Sequence, residues 1–366
     1  MERRSFLRTA GLGAAGVAAA PFVNTASAQE TITWNMVTSW PKNFPALGTG
    51  ANDLAARIER MSGGRMKVRV HGAGEMVPPM EVFDAVSQGT AEMGHSASYY
   101  WRGKVAASQF FTAVPFGMTT TETNAWLYYG GGQELWDELY ADHNLKPFAV
   151  GNTGTQMAGW FKKEINSLED MQGLKLRLPG LAGEAMAGIG VTTLTIPGSE
   201  IFTSLQTGVL DAADWVGPYN DLAFGLHQVA DYYYTSAWNE PSAVLEGTVN
   251  LDAWNALPDD LKAVVNEAAK ASNLAMISEF AFRNAEALDA LVNEHGVKLR
   301  SFPEEVLAAL HDSSQQVLQK QVDNDEASAR IYESYRNFQS QVRKFSDVGE
   351  FAYLKARDSV LGQGES

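Results

Sequence analysis

The sequence predicts an α/β protein of two similarly built lobes braced by long helices. Three observations carry that expectation. Strand-like and helix-like segments alternate from Thr31 to Val249, one helix-glycine-strand unit occurs twice at an offset of 119 residues, and two long stretches near the C-terminus contain neither Gly nor Pro.

Taken in order, residues 1–28 read as an export signal. Arg3, Arg4 and Arg8 form a basic start, Ala10 to Val23 a weakly apolar stretch, and Ala26-Ser27-Ala28 a small-residue cleavage site. Arg3-Arg4-Ser5-Phe6-Leu7 resembles the twin-arginine consensus, so the expected destination is the periplasm. The apolar stretch is shorter than the ~20 residues of a membrane span. Gly11-Leu12-Gly13-Ala14-Ala15-Gly16 matches a dinucleotide-binding pattern, but no strand precedes it and it lies inside the signal, so it is discarded.

The remaining chain opens with a β-branched, aromatic run, Thr31 to Val37, read as a strand. Ala46 to Met61 has helical spacing and stops at Gly63-Gly64, Met66 to Val70 alternates as a second strand, and Pro78-Pro79 opens a helix through Gln88. Gly89 caps that helix, and Ala91 to Ala97 is a third strand ending at Tyr99-Tyr100-Trp101. Strands joined through helices imply a largely parallel sheet. The unit Phe83 to Glu92 aligns with Phe202 to Asp211, each carrying an acidic residue three positions after its Gly. A second lobe is therefore expected from about Asn152 to Trp215, with strands at Leu174–Leu178 and Val191–Ile196 and a return near Trp238 to Val249. The run Asp259 to His295 would reach about 55 Å as one helix. It must lie across both lobes or break, Ser272-Asn273 being the weakest point. Glu304 to Val348 is the other long run, and Phe351 to Leu361 forms an apolar-faced terminal helix that packs on its own lobe or on a partner.

Composition narrows the function. With 45% apolar and 19% charged residues the chain can bury a large core, which excludes a disordered or fibrous protein. The formal charge of −15 repels nucleic acid, and removal of residues 1–28 leaves 338 residues near −17. The absence of Cys removes thiolate metal sites and thiol nucleophiles. No two of His71, His95, His143, His227, His295 and His311 have zinc-hydrolase spacing, Gly94-His95-Ser96-Ala97-Ser98 fails as a nucleophile elbow at its last position, and no phosphate-binding Gly-rich loop is present. A binding protein is the favoured class.

Candidate ligands cluster in aromatic, turn-rich segments: Asn152 and Gln156 at a crossover between lobes, Arg177 in an alternating strand with Lys175, Asp214 at a strand end, Glu240 in a turn, and Tyr99-Tyr100-Trp101. Spacing alone leaves each open. Arg177 also fits an edge strand's surface, Asp214 and Glu240 fit solvated turns, and the aromatic triplet fits core packing.

These residues carry a resemblance. GNTGTQMAGWF, DMQGLKLR, DWVGPYND and ADYYYTSAW, with the export signal and the Ala85–Glu92 unit, resemble the substrate-binding proteins of tripartite ATP-independent periplasmic (TRAP) transporters. The likeness is greatest to those that bind 2-oxo acids such as pyruvate, or lactate, through a cation, and it covers the chain beyond the signal. It implies a clamshell binding protein of the TRAP type, with a long helix spanning both lobes, that delivers its ligand to a membrane permease. The expected division is 29–151 plus about 242–285 for lobe I, 152–241 plus about 286–345 for lobe II, and 346–366 for the C-terminal helix.

By the same resemblance, Arg177 pairs with the substrate carboxylate, Tyr99, Tyr100 and Asn152 hydrogen-bond it, and Gln156, Trp215 and Trp238 line it, Tyr219 completing the apolar wall. The cation ligands fall on Gln156, Asp214, the Trp215 carbonyl and Glu240, all oxygen donors suited to a hard cation. Asp214, Glu240 and a substrate carboxylate against Arg177 leave two negative charges. A divalent ion cancels both, so Ca²⁺ is expected, with Na⁺ as the alternative. An ion chelating a carboxylate and its C2 oxygen would select C2-functionalised monocarboxylates. Two other readings use the same residues: an exported metal-dependent lyase acting on 2-oxo acids, with Lys175 moving protons, and a sensory subunit. A homodimer through the C-terminal helix is the expected alternative to a monomer.

Overall fold

The computed structural model describes residues 31–361, so the signal and its cleavage site lie outside the described residues. Eleven strands are numbered in chain order: β1 Ile32–Thr38, β2 Met66–His71, β3 Met93–Ser96, β4 Leu145–Asn152, β5 Gly159–Phe161, β6 Lys175–Arg177, β7 Thr192–Leu194, β8 Ala212–Ala213, β9 Tyr232–Tyr234, β10 Val244–Asn250 and β11 Lys298–Arg300. They form two sheets, ordered β2-β1-β3-β10-β4 and β7-β6-β8-β5-β9-β11.

The sheets are built alike. In the first, β1 runs parallel to β2 and β3, while β10 is antiparallel to β3 and β4. In the second, β6 runs parallel to β7 and β8, while β5 is antiparallel to β8 and β9. The expectation of largely parallel sheets is therefore corrected to mixed ones. A strand reached through its own lobe's helix enters parallel, but β5 and β10 arrive from the opposite lobe and escape that rule.

The duplicated unit survives in detail. Gly89 and Gly208 take φ of 75° and 79°, a left-handed conformation that a side chain would strain. Glu92 accepts the Asn35 amide of β1 at 2.7 Å, and Asp211 accepts the Lys175 amide of β6 at 2.9 Å. Each acid thus ties its strand to the corresponding neighbour. The two units share a structural job, which chance similarity of sequence does not require.

The crossovers β4→β5 and β9→β10 run side by side. Thr153 N–H bonds the Ala243 carbonyl (3.0 Å), Gln156 N–H the Glu240 carbonyl (3.1 Å) and Ala158 N–H the Tyr234 carbonyl (2.8 Å). Gln156 and Glu240 therefore belong to the connections between the sheets.

The helix Asp259–Asp289 is continuous and ends in a π turn, Ala290–Glu294. At 31 residues it spans about 46 Å and packs on β4 and helix Leu47–Met61 of the first lobe and helix Pro218–Phe224 of the second. It does not break at Ser272-Asn273. Both residues are buried, and Asn273 Nδ2 donates to Asn124 Oδ1 (2.9 Å) and to the Tyr128 hydroxyl (2.8 Å), which ties the long helix to helix Thr120–Tyr129.

The Glu304–Val348 run divides into helices Glu304–Asn324 and Glu326–Ser346 at Asp325, whose carboxylate accepts the Ser328 amide at 2.7 Å as an N-cap. The first packs on helix Gly180–Gly188, with the Ser313 hydroxyl donating to the Ala185 carbonyl at 2.8 Å. Glu326–Ser346, expected within lobe II, returns to first-lobe helices Thr120–Tyr129 and Gly132–Ala141: Met118 N–H bonds the Tyr335 hydroxyl (2.7 Å) and Trp126 meets Tyr335 edge-on. Helix Glu350–Leu361 buries no residue, leaving Phe351, Tyr353, Val360 and Leu361 exposed. No described helix is long and apolar enough to cross a membrane.

Candidate functional site

Arg177 is the last residue of β6, and its side chain is fully buried. Its Nη1 donates to the Asp214 carbonyl (2.8 Å), its Nε to the Ile196 carbonyl (3.3 Å) and its Nη2 to the Tyr100 hydroxyl (3.2 Å). The guanidinium also lies 5.2 Å over the Trp215 ring and 3.7 Å from Asp214 Oδ2. In the reverse direction, Asp214 N–H bonds the Arg177 carbonyl at 2.9 Å, so adjacent strand ends hold the pair face to face. The edge-strand surface reading of Arg177 is excluded by burial. Lys175, two residues earlier, is exposed.

Asp214 and Glu240 are likewise buried. Burial raises Asp214 to about 7 against the opposing pull of Arg177, and burial together with the charge of Asp214 drives Glu240 well above the usual carboxylate range. Asp214 Oδ1 accepts from Asn239 Nδ2 (3.2 Å), but Asp214 Oδ2, Glu240 Oε2 and Gln156 Oε1 have no hydrogen-bond partner among the described residues. Three buried oxygens without donors are expensive unless something positive meets them. Among the described residues no group of three or more His, Asp or Glu is arranged for a metal. Two carboxylates and an amide oxygen make a donor set that suits a hard cation and not a soft one.

Asn152 is buried beside the crossover, its Nδ2 donating to the Ser242 hydroxyl (2.9 Å) and its Oδ1 accepting Gly154 N–H (2.8 Å). Tyr99 and Tyr100 occupy a 3₁₀ turn, Ser98–Trp101, after β3, their rings 4.8 Å apart edge to face. Tyr100 reaches Arg177 across the cleft. Trp40 and Trp215 also meet across it at 6.3 Å, Phe44 stacks on Phe224 at 4.2 Å, and Asn220 Nδ2 donates to the Pro45 carbonyl at 3.0 Å. Trp238 is buried against Phe116, and its indole N–H, like that of Trp215, has no partner among the described residues. Tyr219 faces elsewhere, its ring against Phe280 and its hydroxyl donating to Glu279 at 3.3 Å, which corrects its expected place in the apolar wall.

Several contributors were not picked out from the sequence. Asp221 is buried in helix Pro218–Phe224. Its Oδ1 accepts Val216 and Gly217 N–H at 3.2 Å, and its Oδ2 accepts the Trp160 indole (2.9 Å) and the Tyr233 hydroxyl (2.6 Å). An acid just after a Pro-started helix was the available signal. Asn239 steers Asp214. Gly198 makes room for Trp215, since a Cβ there would lie 2.4 Å from the indole. His95, the nearest thing to a catalytic base, accepts the Trp40 indole N–H on Nδ1 (2.8 Å), and burial lowers it to about 4, so it stays neutral.

A family model for bacterial extracellular solute-binding protein, family 7, matches residues 36–325. A monocarboxylate 2-oxoacid-binding periplasmic protein of Nostoc sp. is 41% identical over 360 residues, covering 96% of this chain and 98% of the relative. A TRAP periplasmic solute-binding protein of Pseudoalteromonas atlantica, solved with bound sodium and pyruvate, is 42% identical with a TM-score of 0.87, covering 89% of this chain and 99% of that one. Its counterpart from Colwellia psychrerythraea, solved with bound calcium and pyruvate, is 40% identical with a TM-score of 0.87, covering 89% and 100%. The lyase alternative finds no support in these relatives or in the exposed Lys175. Two alike sheets, a buried arginine between carboxylates and tyrosines, and a match over most of the chain lead to one conclusion: the chain belongs to the bacterial extracellular solute-binding protein family 7, the DctP family of TRAP solute receptors.

Proposed function

We propose that this receptor binds a small monocarboxylate functionalised at C2, pyruvate or a related 2-oxo acid, with lactate-type 2-hydroxy acids as the close alternative, and delivers it to a TRAP membrane permease. The observation that carries the reading is the set of buried, unpartnered oxygens on Gln156, Asp214 and Glu240 beside the guanidinium of Arg177. A cation held by those oxygens and the Trp215 carbonyl supplies the positive charge that chelates a carboxylate together with its C2 oxygen. Arg177 takes the carboxylate through its planar fork, with Tyr99 and Tyr100 donating from the first lobe, Asn152 behind them, and Gln156, Trp215 and Trp238 lining the substrate. Charge balance favours Ca²⁺ over Na⁺. The relatives solved with pyruvate hold one or the other.

The two sheets support division into lobe I (29–151 and about 242–285), lobe II (152–241 and about 286–345) and a C-terminal helix (346–366). The packing of Glu326–Ser346 on helices Thr120–Tyr129 and Gly132–Ala141 supports counting that helix with lobe I instead. All four cation ligands, and Arg177 itself, lie on lobe II or the crossovers. The cation therefore binds before the lobes close, and closure brings the tyrosines. The exposed apolar residues of Glu350–Leu361 support a homodimer through the C-terminal helix, and the Arg3-Arg4 segment supports twin-arginine export to the periplasm.

The test is thermal unfolding of the protein without its first 28 residues, with pyruvate, lactate or succinate and with or without a calcium chelator. Pyruvate or lactate should raise Tm in the presence of Ca²⁺, and the chelator should reduce the shift. A larger shift with succinate, or one indifferent to cation removal, would overturn the reading.

A further inference from the structure

Resting on that receptor reading, we propose that Asp221 positions the Trp215–Gly217 segment and sets which cation the site prefers. Its four hydrogen-bond donors are Val216 N–H, Gly217 N–H, the Trp160 indole and the Tyr233 hydroxyl, all neutral. Trp160 and Tyr233 are themselves locked together, their rings stacked at 4.0 Å on paired positions of β5 and β9. One carboxylate therefore anchors the segment carrying the Trp215 carbonyl to the rigid part of the second sheet.

A staple alone does not need a charge. An amide or a carbonyl could receive the same backbone donors at a smaller desolvation cost. Asp221 is buried, and among the described residues no Lys, Arg or His bonds its carboxylate. Its field reaches the site, where its charge opposes that of Asp214. The positive groups left to compensate it are Arg177 and the incoming ion. Counting Asp221, the liganded site carries three negative charges before a metal. Coulomb attraction scales with the charge of the ion, so this acid favours Ca²⁺ twice as much in free energy as Na⁺. Loss of its charge should therefore lower Ca²⁺ affinity by the square of the factor lost for Na⁺.

The experiment titrates CaCl₂ alone, and NaCl in competition with it, into wild type and Asp221→Asn by calorimetry, then repeats the Ca²⁺ titration with pyruvate present. Outer-shell changes typically cost about 10- to 100-fold in metal affinity. That range is expected for Ca²⁺, with about 3- to 10-fold for Na⁺ from the charge scaling. Asp221→Glu keeps the charge but moves the segment, so it should weaken both ions by similar factors. If Asp221→Asn fails to fold, the double variant Asp221→Asn with Trp160→Phe replaces it: the new amide then donates to the Tyr233 oxygen and no indole N–H is orphaned.

Equal losses for both ions in the Asn variant, or an unchanged Ca²⁺-to-Na⁺ ratio, overturn the proposal while leaving the receptor reading intact. Wild-type protein that binds neither ion overturns both. Wild type that binds both ions but gains nothing from pyruvate overturns the substrate assignment and leaves the role of Asp221 to be judged by the ion ratio.

Discussion

Replacing Arg177 with Met preserves much of the side-chain volume while removing the guanidinium, and the structure allows its effects on stability and on binding to be separated. Before ligand, the guanidinium is the positive group beside Asp214 and Glu240 and bonds Asp214, Ile196 and Tyr100. Removing one partner from a buried charge network costs about 3–5 kcal/mol. Calcium should restore much of that loss, because it supplies the missing charge to the same acids. Binding is different. With Ca²⁺ in place, the wild-type site carries one more positive charge than the variant to meet the substrate carboxylate, and the variant also lacks the fork. Truncating a buried, hydrogen-bonded charge partner costs about 2–5 kcal/mol, or roughly 30- to 4,000-fold in affinity. Calorimetry of pyruvate binding at saturating Ca²⁺, alongside thermal unfolding with and without Ca²⁺, reads both quantities. Arg177→Lys, which keeps the charge without the planar fork, should fall between wild type and Met. Pyruvate affinity within tenfold of wild type in the Met variant would refute the assignment of the carboxylate to Arg177.

Three further outcomes follow from the geometry. Asp214→Asn should weaken cation and pyruvate together, since the same oxygens serve both, and loss of one without the other in parallel titrations would break the chelate model. Glu246 is buried behind the tyrosines, accepting hydrogen bonds from the Trp101 indole and, at 2.8 Å, the Tyr140 hydroxyl, and burial raises it from 4.5 to about 7. The folded state then holds a proton that the unfolded chain has released, so its stabilisation is present below pH 4.5 and lost as pH rises through about 7, an effect of roughly 3 kcal/mol. Glu246→Gln should flatten that decline in denaturant unfolding from pH 5 to 8; an unchanged profile would show that the acid is not the source. Ending the chain at Val348 removes the exposed terminal helix and should yield a monomer by light scattering, with Tm within about 2 °C of the full chain. A dimer that persists would place the interface elsewhere.

What could be read from the sequence is what short range decides. Helix Leu47–Met61, the glycines at 89 and 208 and the acids that follow them depend on neighbouring residues, and all lie within a residue or two of their expected places. The N-cap at Asp325 was also local, and its motif Asp325-Glu326-Ala327-Ser328 was legible, though the surrounding run without Gly or Pro hid it. Strand direction was not local. Nothing in the composition of β10 states that it enters the first sheet from the second lobe, and that entry is what makes both sheets mixed.

The site divides in the same way. Residue type and resemblance pointed to Arg177, Asp214 and Glu240, because an arginine in an apolar strand and acids among aromatics are chemically conspicuous. Spacing could not tell buried from solvated, since burial depends on what the other lobe lays over a residue. Only the tertiary structure sets Tyr100 against Arg177, turns Tyr219 onto the long helix and surrounds Asp221 with four donors from three elements. The sequence by itself determined which oxygens and which cationic side chain were available and the turns that carry them. The tertiary structure decided which of those oxygens lose their water without gaining a donor, because that loss requires packing between segments far apart in the chain, and it is this loss that gives the proposed cation its place.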